Sequence, residues 1–493
     1  MNRKIMCMGI VSMFILLSLT TLSVSAIETE ITTKTGKTIY VDDDWEDDPD
    51  NHKWNTIQEG IDDAKDGDTV YVYSGTYEEN IDIKHKSSNL IGETEEYPLI
   101  KGSLSLSKCK TSKVEGFKFH YEGTNYCITL SESQDCKFIN NIVETDGEDA
   151  IEVESMGLIS EKSLRNVISG NTITDKSQYH SIISIRLGYK SGSTTVSNNK
   201  ITGGSIIIFS SDNRILNNNL IDCSDSSAIG VYKGLTSVEN NWIYENTIEI
   251  PSYYVVGIDI GSDNNKIYDN TILCVGEDEY SHGILIGYCN ENEVYKNDIT
   301  DAKYAIAFYS DYQYCNSKNE IYRNTISHCN KGLYLYGENT KDNIIRNNKV
   351  KNNEYGIYIP DCSVDGFAQN NYIYCNSFKE NEFNVCDANN LENGHGINKN
   401  KYYSSDLMKG NYWDDYKGSD KDGDGIGDTP YIIPDGDSDS TNNIEDIYPL
   451  MKEESGGKSK PVNQNLIRVL ISKFLQTITK FLYGLPFIQT LLK

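Results

Sequence analysis

Asn270-Thr-Ile272, Asn297-Asp-Ile299 and Asn324-Thr-Ile326 are three copies of one short phrase: an Asn, a variable residue, then a branched or aromatic apolar residue. The phrase also stands at Asn141-Ile-Val143, Asn171-Thr-Ile173, Asn199-Lys-Ile201, Asn219-Leu-Ile221, Asn246-Thr-Ile248, Asn348-Lys-Val350 and Asn376-Ser-Phe378. Its successive spacings are 30, 28, 20, 27, 24, 27, 27, 24 and 28 residues, the period of a solenoid. One such repeat cannot bury its own apolar side, whereas stacked repeats can.

Two further apolar pairs recur within each period. The first is a small residue followed by Ile-x-Ile, as in Ala150-Ile-Glu-Val153, Ala228-Ile-Gly-Val231, Gly257-Ile-Asp-Ile260, Gly283-Ile-Leu-Ile286, Gly332-Leu-Tyr-Leu335 and Gly356-Ile-Tyr-Ile359. The second is Asn-x-(Ile/Val), as in Asn213-Arg-Ile215, Asn265-Lys-Ile267, Asn292-Glu-Val294, Asn319-Glu-Ile321 and Asn343-Ile-Ile345. Alternation over three to five residues is the mark of strands with one buried face. The expectation is an all-β chain, a parallel β-helix with three strands per coil over residues 69–400. A dozen coils at ~4.8 Å each would span about 60 Å. Gly and Asn are expected at the turns because both tolerate φ > 0, and Asn recurring once per coil would stack into an amide ladder.

Strand edges at the ends of such a rod need covers. The stretch Trp54-Asn-Thr-Ile57-Gln-Glu-Gly-Ile61-Asp-Asp-Ala64 spaces its apolar residues for a short amphipathic helix, so residues 39–68 read as an N-terminal strand and capping helix. Residues 401–451 form an aromatic and acidic module, 452–465 a linker, and 466–493 a short amphipathic helix. The only charges in that tail are Arg468, Lys473, Lys480 and Lys493, which suits contact with a membrane surface better than a span.

Residues 1–26, with Arg3 and Lys4 ahead of an apolar run and Val24-Ser-Ala26 at its end, read as a secretory signal peptide. Its removal takes the formal charge from −28 to −30, since 45 − 2 = 43 basic residues then face 73 acidic ones. A chain this acidic disfavours nucleic acid and favours cations. Of the 12 Cys, 11 lie beyond the signal, so complete pairing is excluded. Cys223, Cys274, Cys289, Cys329 and Cys362 recur at repeat positions, as stacked buried thiols would, while bridges between adjacent coils stay open.

Ile39-Tyr-Val-Asp-Asp-Asp44, Trp54-Asn-Thr-Ile-Gln-Glu-Gly-Ile61 and Asp66-Gly-Asp-Thr-Val-Tyr-Val-Tyr-Ser-Gly-Thr-Tyr77 resemble the opening of archaeal secreted right-handed β-helix proteins. Gly410-Asn-Tyr-Trp-Asp-Asp415, Asp422-Gly-Asp-Gly-Ile-Gly-Asp428 and Ile447-Tyr-Pro-Leu450 resemble the end of the same group, the NosD-like periplasmic copper-binding β-helix family of the pectin-lyase-like superfamily. The resemblance covers residues 39–451 and implies a right-handed solenoid. It also implies copper handling, and carbohydrate as the partner class of the wider superfamily. Copper sites favour His, Met and Cys. The seven His, at 52, 85, 120, 180, 282, 328 and 395, form no His-x-His pair, which argues against copper.

Asp420-x-Asp422-x-Asp424-Gly-Ile426-Gly-Asp428 places carboxylates at positions 1, 3, 5 and 9 and a backbone carbonyl at 7, an oxygen set suited to Ca²⁺. Position 12 is Tyr431, so the loop is not an EF-hand, and Asp435, Asp437 or Asp439 would complete it. Tyr244, Tyr268, Tyr295, Tyr322 and Tyr374 each stand two residues before the repeat Asn and are expected as an outward stripe. Tyr334 and Tyr358 are expected as a second outward pair. Such rings suit sugars or flat protein surfaces, and equally suit stacking on one another.

For catalysis the candidates are Arg186 in Ile185-Arg-Leu187, Glu152 and Glu154 one coil before it, and Asp259 further along. Gly394-His395-Gly396 resembles a polygalacturonase element without its Asp-Asp and Arg-x-Lys partners. The leading expectation is an exported, non-catalytic cell-surface β-helix that binds glycan or protein along its side and holds Ca²⁺. The alternatives are a polysaccharide lyase or hydrolase and a NosD-like copper-handling accessory protein.

Overall fold

The computed structural model describes residues 36–453 apart from short stretches at 124, 147–148, 156–160, 177–182, 224–225, 235–236, 252–254, 276–279, 312, 361–365, 367, 389–398 and 435–443. The expected signal peptide, the helical tail, His180, Cys362, His395 and the possible extra ligands Asp435, Asp437 and Asp439 lie outside the described residues.

The chain winds through three parallel sheets of 15, 14 and 13 strands, each coil contributing one strand to each sheet in turn. The all-β parallel β-helix expected from the period is therefore the fold. Adjacent coils align without offset through most of the rod. Ile243, Ile267, Val294, Ile321, Ile345 and Ile373 stack in the first sheet. Ile248, Ile272, Ile299, Ile326, Val350 and Phe378 stack in the second, and Ile229, Ile258, Ile284, Ile306, Leu333 and Ile357 in the third. All of these are fully buried, so the core is a column of branched aliphatic side chains. The small residue that opens each third-sheet strand is a packing requirement. A Cβ on Gly283 would sit 2.6 Å from the carbonyl oxygen of Ala305 in the next coil.

The phrase Asn builds a ladder at the corner between the first and second sheets. Asn270 donates its backbone N–H and Nδ2 to Oδ1 of Asn297 at 3.1 and 2.9 Å, and Asn297 does the same to Asn324 at 2.9 and 3.0 Å. A second ladder, through Asn241, Asn265, Asn292, Asn319, Asn343 and Asn371, runs at the corner entering the first sheet. Two details differ from the sequence reading. In the fourth copy the ladder residue is Asn218, which accepts from Asn199 and donates to Asn246, while Asn219 is exposed on the strand. The buried partner of Ile201 is accordingly Leu220, and Ile221 faces outward. The left-handed residue at this corner is also not the Asn but the residue before it, with φ of 56° at Glu245, 54° at Asp269, 56° at Lys296 and 59° at Arg323. The amide bonds on either side fix the corner so firmly that charged residues tolerate this conformation.

The N-terminal cover is the helix Ile57–Asp63, with Ile57 and Ile61 buried against the first coil. Thr56 caps it, its hydroxyl oxygen accepting the Glu59 N–H at 3.3 Å and its O–H donating to the Glu59 carboxylate at 2.7 Å, and Glu79 takes the free N–H groups of Ile57 and Gln58 at 2.7 and 3.0 Å. At the other end the strand Tyr412–Trp413 extends the second sheet, and the hairpin Tyr431–Ile433 with Ile444–Asp446 packs behind it. The ten described cysteines stand outside disulfides, and those at repeat positions, Cys223, Cys274, Cys289 and Cys329, are buried as expected.

Candidate functional site: tyrosine faces, a carboxylate row and an aspartate loop

Tyr244, Tyr268, Tyr295 and Tyr322 occupy one outward row of the first sheet, in register. Their rings are parallel to within 3–4° and 4.8–4.9 Å apart. Arg346 takes the next place in the row, its guanidinium 4.4 Å from the Tyr322 centroid, and separates that ring from Tyr374. The stripe is thus four rings, a guanidinium and a fifth ring. Tyr322 donates its hydroxyl to Glu293 at 2.9 Å, and Lys266 pairs with the same carboxylate at 2.8 Å. Burial, with Tyr244 beside it, pushes the Tyr268 hydroxyl up to about 12. Inside the stack each ring covers its neighbours' faces, so the row offers edges and hydroxyls to solvent.

The third sheet carries a different aromatic surface. Tyr334 and Tyr358 share an outward row, with ring centroids 6.2 Å apart. Tyr334 is only 8% exposed because Tyr304, Tyr309 and Tyr336 lean onto it at 4.8, 5.6 and 6.1 Å. Tyr355 meets Tyr358 at 4.8 Å and the exposed Phe383 at 5.0 Å. Lys331 lies among these rings, its Nζ 5.0 Å from the Tyr358 centroid and 5.2 Å from that of Tyr304, and burial lowers its pKa. His282 stacks on Tyr304 at 4.8 Å, and burial takes it down to about 4, which keeps it neutral at pH 7. The repeat reading found only Tyr334 and Tyr358. The others flank the Ile-x-Ile core of the strand, and only their shared register, His282↔Tyr304↔Lys331↔Tyr355↔Phe383, would have revealed the face.

Toward the N-terminus the outward row of the third sheet becomes polar. Glu152 pairs in register with Arg186, whose Nε lies 3.7 Å from Glu152 Oε1 and whose Nη1 donates to the Tyr126 hydroxyl at 2.9 Å. Phe209 lies under the guanidinium at 5.4 Å. Burial first, and the Glu154 charge second, push Glu152 up to about 7. The row continues through Ile207 and Gly230 to Asp259, which accepts the Tyr232 hydroxyl at 2.9 Å and is pushed up to about 6 by burial. Arg186 and Glu152 are therefore neighbours, whereas Asp259 stands three coils from Arg186, about 14 Å away. Tyr126, Phe209 and Tyr232 were not legible in the repeat.

The acidic loop is a tight knot of turns. Asp420 accepts the N–H of Gly423 at 2.7 Å and of Gly425 at 3.0 Å, and Asp424 accepts that of Ile426 at 2.8 Å. Asp428 takes the Lys421 N–H and Ser419 hydroxyl at 3.0 and 3.1 Å. Asp420, Asp422 and Asp424 bring one carboxylate oxygen each within 4.8 Å of one another, while Asp428 turns toward the start of the loop. Gly427 and Met451 bond across to Pro449 and Gly425, which ties the loop to the chain beside Tyr412.

Comparison with known families identifies two regions. Residues 102–272 match the right handed beta helix region, and residues 309–418 match the periplasmic copper-binding protein (NosD) family. The chain is a NosD-like right-handed β-helix protein. Among solved structures, a lacto-N-biosidase from Eubacterium ramulus aligns at 11% identity and a TM-score of 0.47, over 66% of this chain and 69% of its own. The catalytic domain of an α-1,3-glucanase aligns at 12% and 0.48, over 66% and 63%, so this chain spans less than two thirds of it. An alginate lyase aligns at 15% and 0.39, over 64% and 86%. The comparison with curated proteins gives no match.

A copper-binding namesake calls for a test of the residues. Among the described residues the His-containing group able to surround an ion is His120 with Glu122 and Asp146, one imidazole and two carboxylates. That set offers one imidazole nitrogen beside two carboxylates, and Asp42–Asp44 and Asp420–Asp424 offer only hard oxygen donors, so none is the His-, Met- and Cys-rich set that copper prefers.

Proposed function

We propose that this NosD-like β-helix is an exported, non-catalytic surface protein that binds a glycan chain along the outer face of its third sheet. The observation that carries this reading is the cluster of Tyr304, Tyr309, Tyr334, Tyr336, Tyr355, Tyr358 and Phe383 around Lys331. It combines ring faces with hydroxyls and a cation on one side of a rigid rod. Sugars present both C–H faces and hydroxyls, and such a surface meets both. On this reading Tyr358 meets the glycan with its neighbours' rings and Tyr334 supports them from beneath, while Tyr244, Tyr268, Tyr295, Tyr322 and Tyr374 present only edge hydroxyls on the first sheet, away from the glycan. Residues 1–26 would direct export, residues 466–493 would touch the membrane surface, and Asp420, Asp422, Asp424, Ile426 and Asp428 would hold Ca²⁺. Among the described residues no helix is long and apolar enough to cross a membrane.

The test is retention of the purified protein on insoluble polysaccharides, with soluble product measured in the same tubes. Retention without product, lost in Tyr358→Ser at a temperature where that variant is still folded, supports the reading. Sugar release overturns its non-catalytic part. A second reading, polysaccharide cleavage, is favoured by Glu152, whose near-neutral pKa beside Arg186 would suit proton transfer at pH 7. Product formation abolished in Glu152→Gln would establish it.

A further inference from the structure

The corners that lead from the third sheet back to the first vary in length. The corner at 209–213 has five residues, while the one before it, 188–194, has seven and the one after it, 233–241, has nine. Beside the short corner lies a notch of about 390 Å³. That volume lies within the ~300–1,000 Å³ range of small-ligand sites. The notch begins three residues after Arg186, around the corner from the third-sheet face.

Tyr189 lines the notch with Lys190 Nζ 5.4 Å from its ring centroid, and Lys162, Ser193, Asp212, Glu239 and Asn240 supply further polar groups. The short strands Ser163–Leu164 and Ser191–Gly192 pair as a small parallel sheet and stiffen one side. Two lysines, Lys162 and Lys190, face two carboxylates, Asp212 and Glu239, so the notch is locally balanced in a chain of formal charge −28. Balance of charge removes selection for an ionic ligand. A lining that joins an aromatic ring to carboxylate and amide acceptors and a hydroxyl offers what a neutral sugar ring needs, with its C–H face and several hydroxyls.

We propose that the notch binds one uncharged sugar residue, a chain end or side branch of the glycan lying on the third-sheet face. The proposal rests on the glycan-binding reading and adds to it the charge class of the sugar and the place where it is recognised.

The experiment titrates the full chain with cellohexaose, laminarihexaose and mannohexaose, and with a galacturonate hexamer as an anionic comparator, by calorimetry. Polysaccharide retention is measured in parallel. The expected result is binding of a neutral hexamer, weakened at least tenfold by Tyr189→Ala and by Glu239→Gln and restored in Tyr189→Phe, with melting temperatures unchanged because these residues sit on a surface corner. Retention that responds to Tyr358→Ser while hexamer binding ignores Tyr189→Ala and Glu239→Gln overturns the notch and leaves the face standing. Tighter binding of the galacturonate hexamer than of every neutral one overturns the charge class. Binding of none of the neutral hexamers overturns the proposal outright.

Discussion

Asp446 accepts the backbone N–H of Asn411 at 2.7 Å, and with that bond the amide ladder of the first corner ends. Every Asn below it gives its Nδ2 to the next coil and receives on Oδ1, so the ladder is polar and its last member is left with donors to place. A carboxylate only accepts, which makes it the natural terminus. Asp446 also takes the Trp413 indole N–H at 2.9 Å and the Tyr448 N–H at 3.1 Å. The second ladder ends the same way, Asn400 Nδ2 donating to Asp387 at 3.0 Å. A third, shorter ladder passes through Asn353 and Asn381 to Asn384, whose Nδ2 meets Asp414 and Asp415 at 2.9 and 2.8 Å.

Replacing Asp446 by Asn keeps the shape and turns one acceptor edge into a donor facing donors. A buried donor without a partner costs about 1–3 kcal/mol. Asp446→Asn should therefore lower stability by about that much in a denaturant titration at pH 8. Unchanged stability would mean that the ladder needs no acceptor-only end.

The register at the fourth repeat gives a sharper contrast. Asn218→Ala removes an acceptor for Asn199 and a donor to Asn246 inside the core, and should cost about 2–4 kcal/mol. Asn219→Ala, one residue later and exposed, should stay within about 0.5 kcal/mol. Equal effects of the two would contradict the register.

That pair also shows what the sequence could and could not convey. The period, the three strands per coil and the helical cap follow from alternation and Asn spacing, because burial of one strand face leaves a local mark. In Asn217-Asn218-Asn219-Leu220-Ile221 the mark is degenerate, since either of two Asn residues precedes an apolar residue at the right distance, and only stacking on Ile201 selects Leu220. The third-sheet aromatic face was harder to see. Its rings stand at strand positions that differ between coils in the sequence and come together only once register is known. Tyr334 alone suggested an exposed ring, and its neighbours from adjacent coils bury it.

The buried carboxylates predict a pH dependence. Asp259 is raised to about 6, above an unfolded value of about 3.9, so the folded state binds the proton more tightly. The stability this brings is fully present below the unfolded pKa and is lost as pH rises through about 6. Glu152, raised to about 7, has the same sign. His282, held down to about 4, acts in the opposite sense up to its ordinary value, so the test compares two proteins: relative to the wild type, Asp259→Asn should lack a loss of about 1.4 kcal/mol between pH 5 and pH 8, the roughly one pKa unit of the shift that falls in that window. A stability difference between Asp259→Asn and the wild type that does not change with pH would show that this carboxyl is not held protonated.

The aspartate loop is joined to the chain that closes the solenoid, so an ion bound there would stabilise the C-terminal end by mass action. Calcium should raise the melting temperature and a chelator should reverse the effect, and Asp422→Ala with Asp424→Ala should abolish the response. Identical melting of the wild type with and without calcium would remove Ca²⁺ from the proposal.

The two tyrosine surfaces should separate in a single comparison. In the first-sheet row the ring faces are spent on each other, and each stacked pair contributes ~0.5–1.5 kcal/mol. Replacing Tyr268, Tyr295 and Tyr322 together by Ser removes three such contacts and the hydroxyl bond to Glu293, so stability should fall by about 2–4 kcal/mol. Glycan retention below the new melting temperature should persist. On the third sheet Tyr358→Ser removes its ring contacts with Tyr334 and Tyr355 and the Lys331 contact, while Tyr304, Tyr309 and Tyr336 still cover Tyr334, so stability should fall by only about 1–2 kcal/mol and retention should be lost. If the triple variant loses retention and Tyr358→Ser does not, the glycan lies on the first sheet, where it can reach the tyrosines only by their edges.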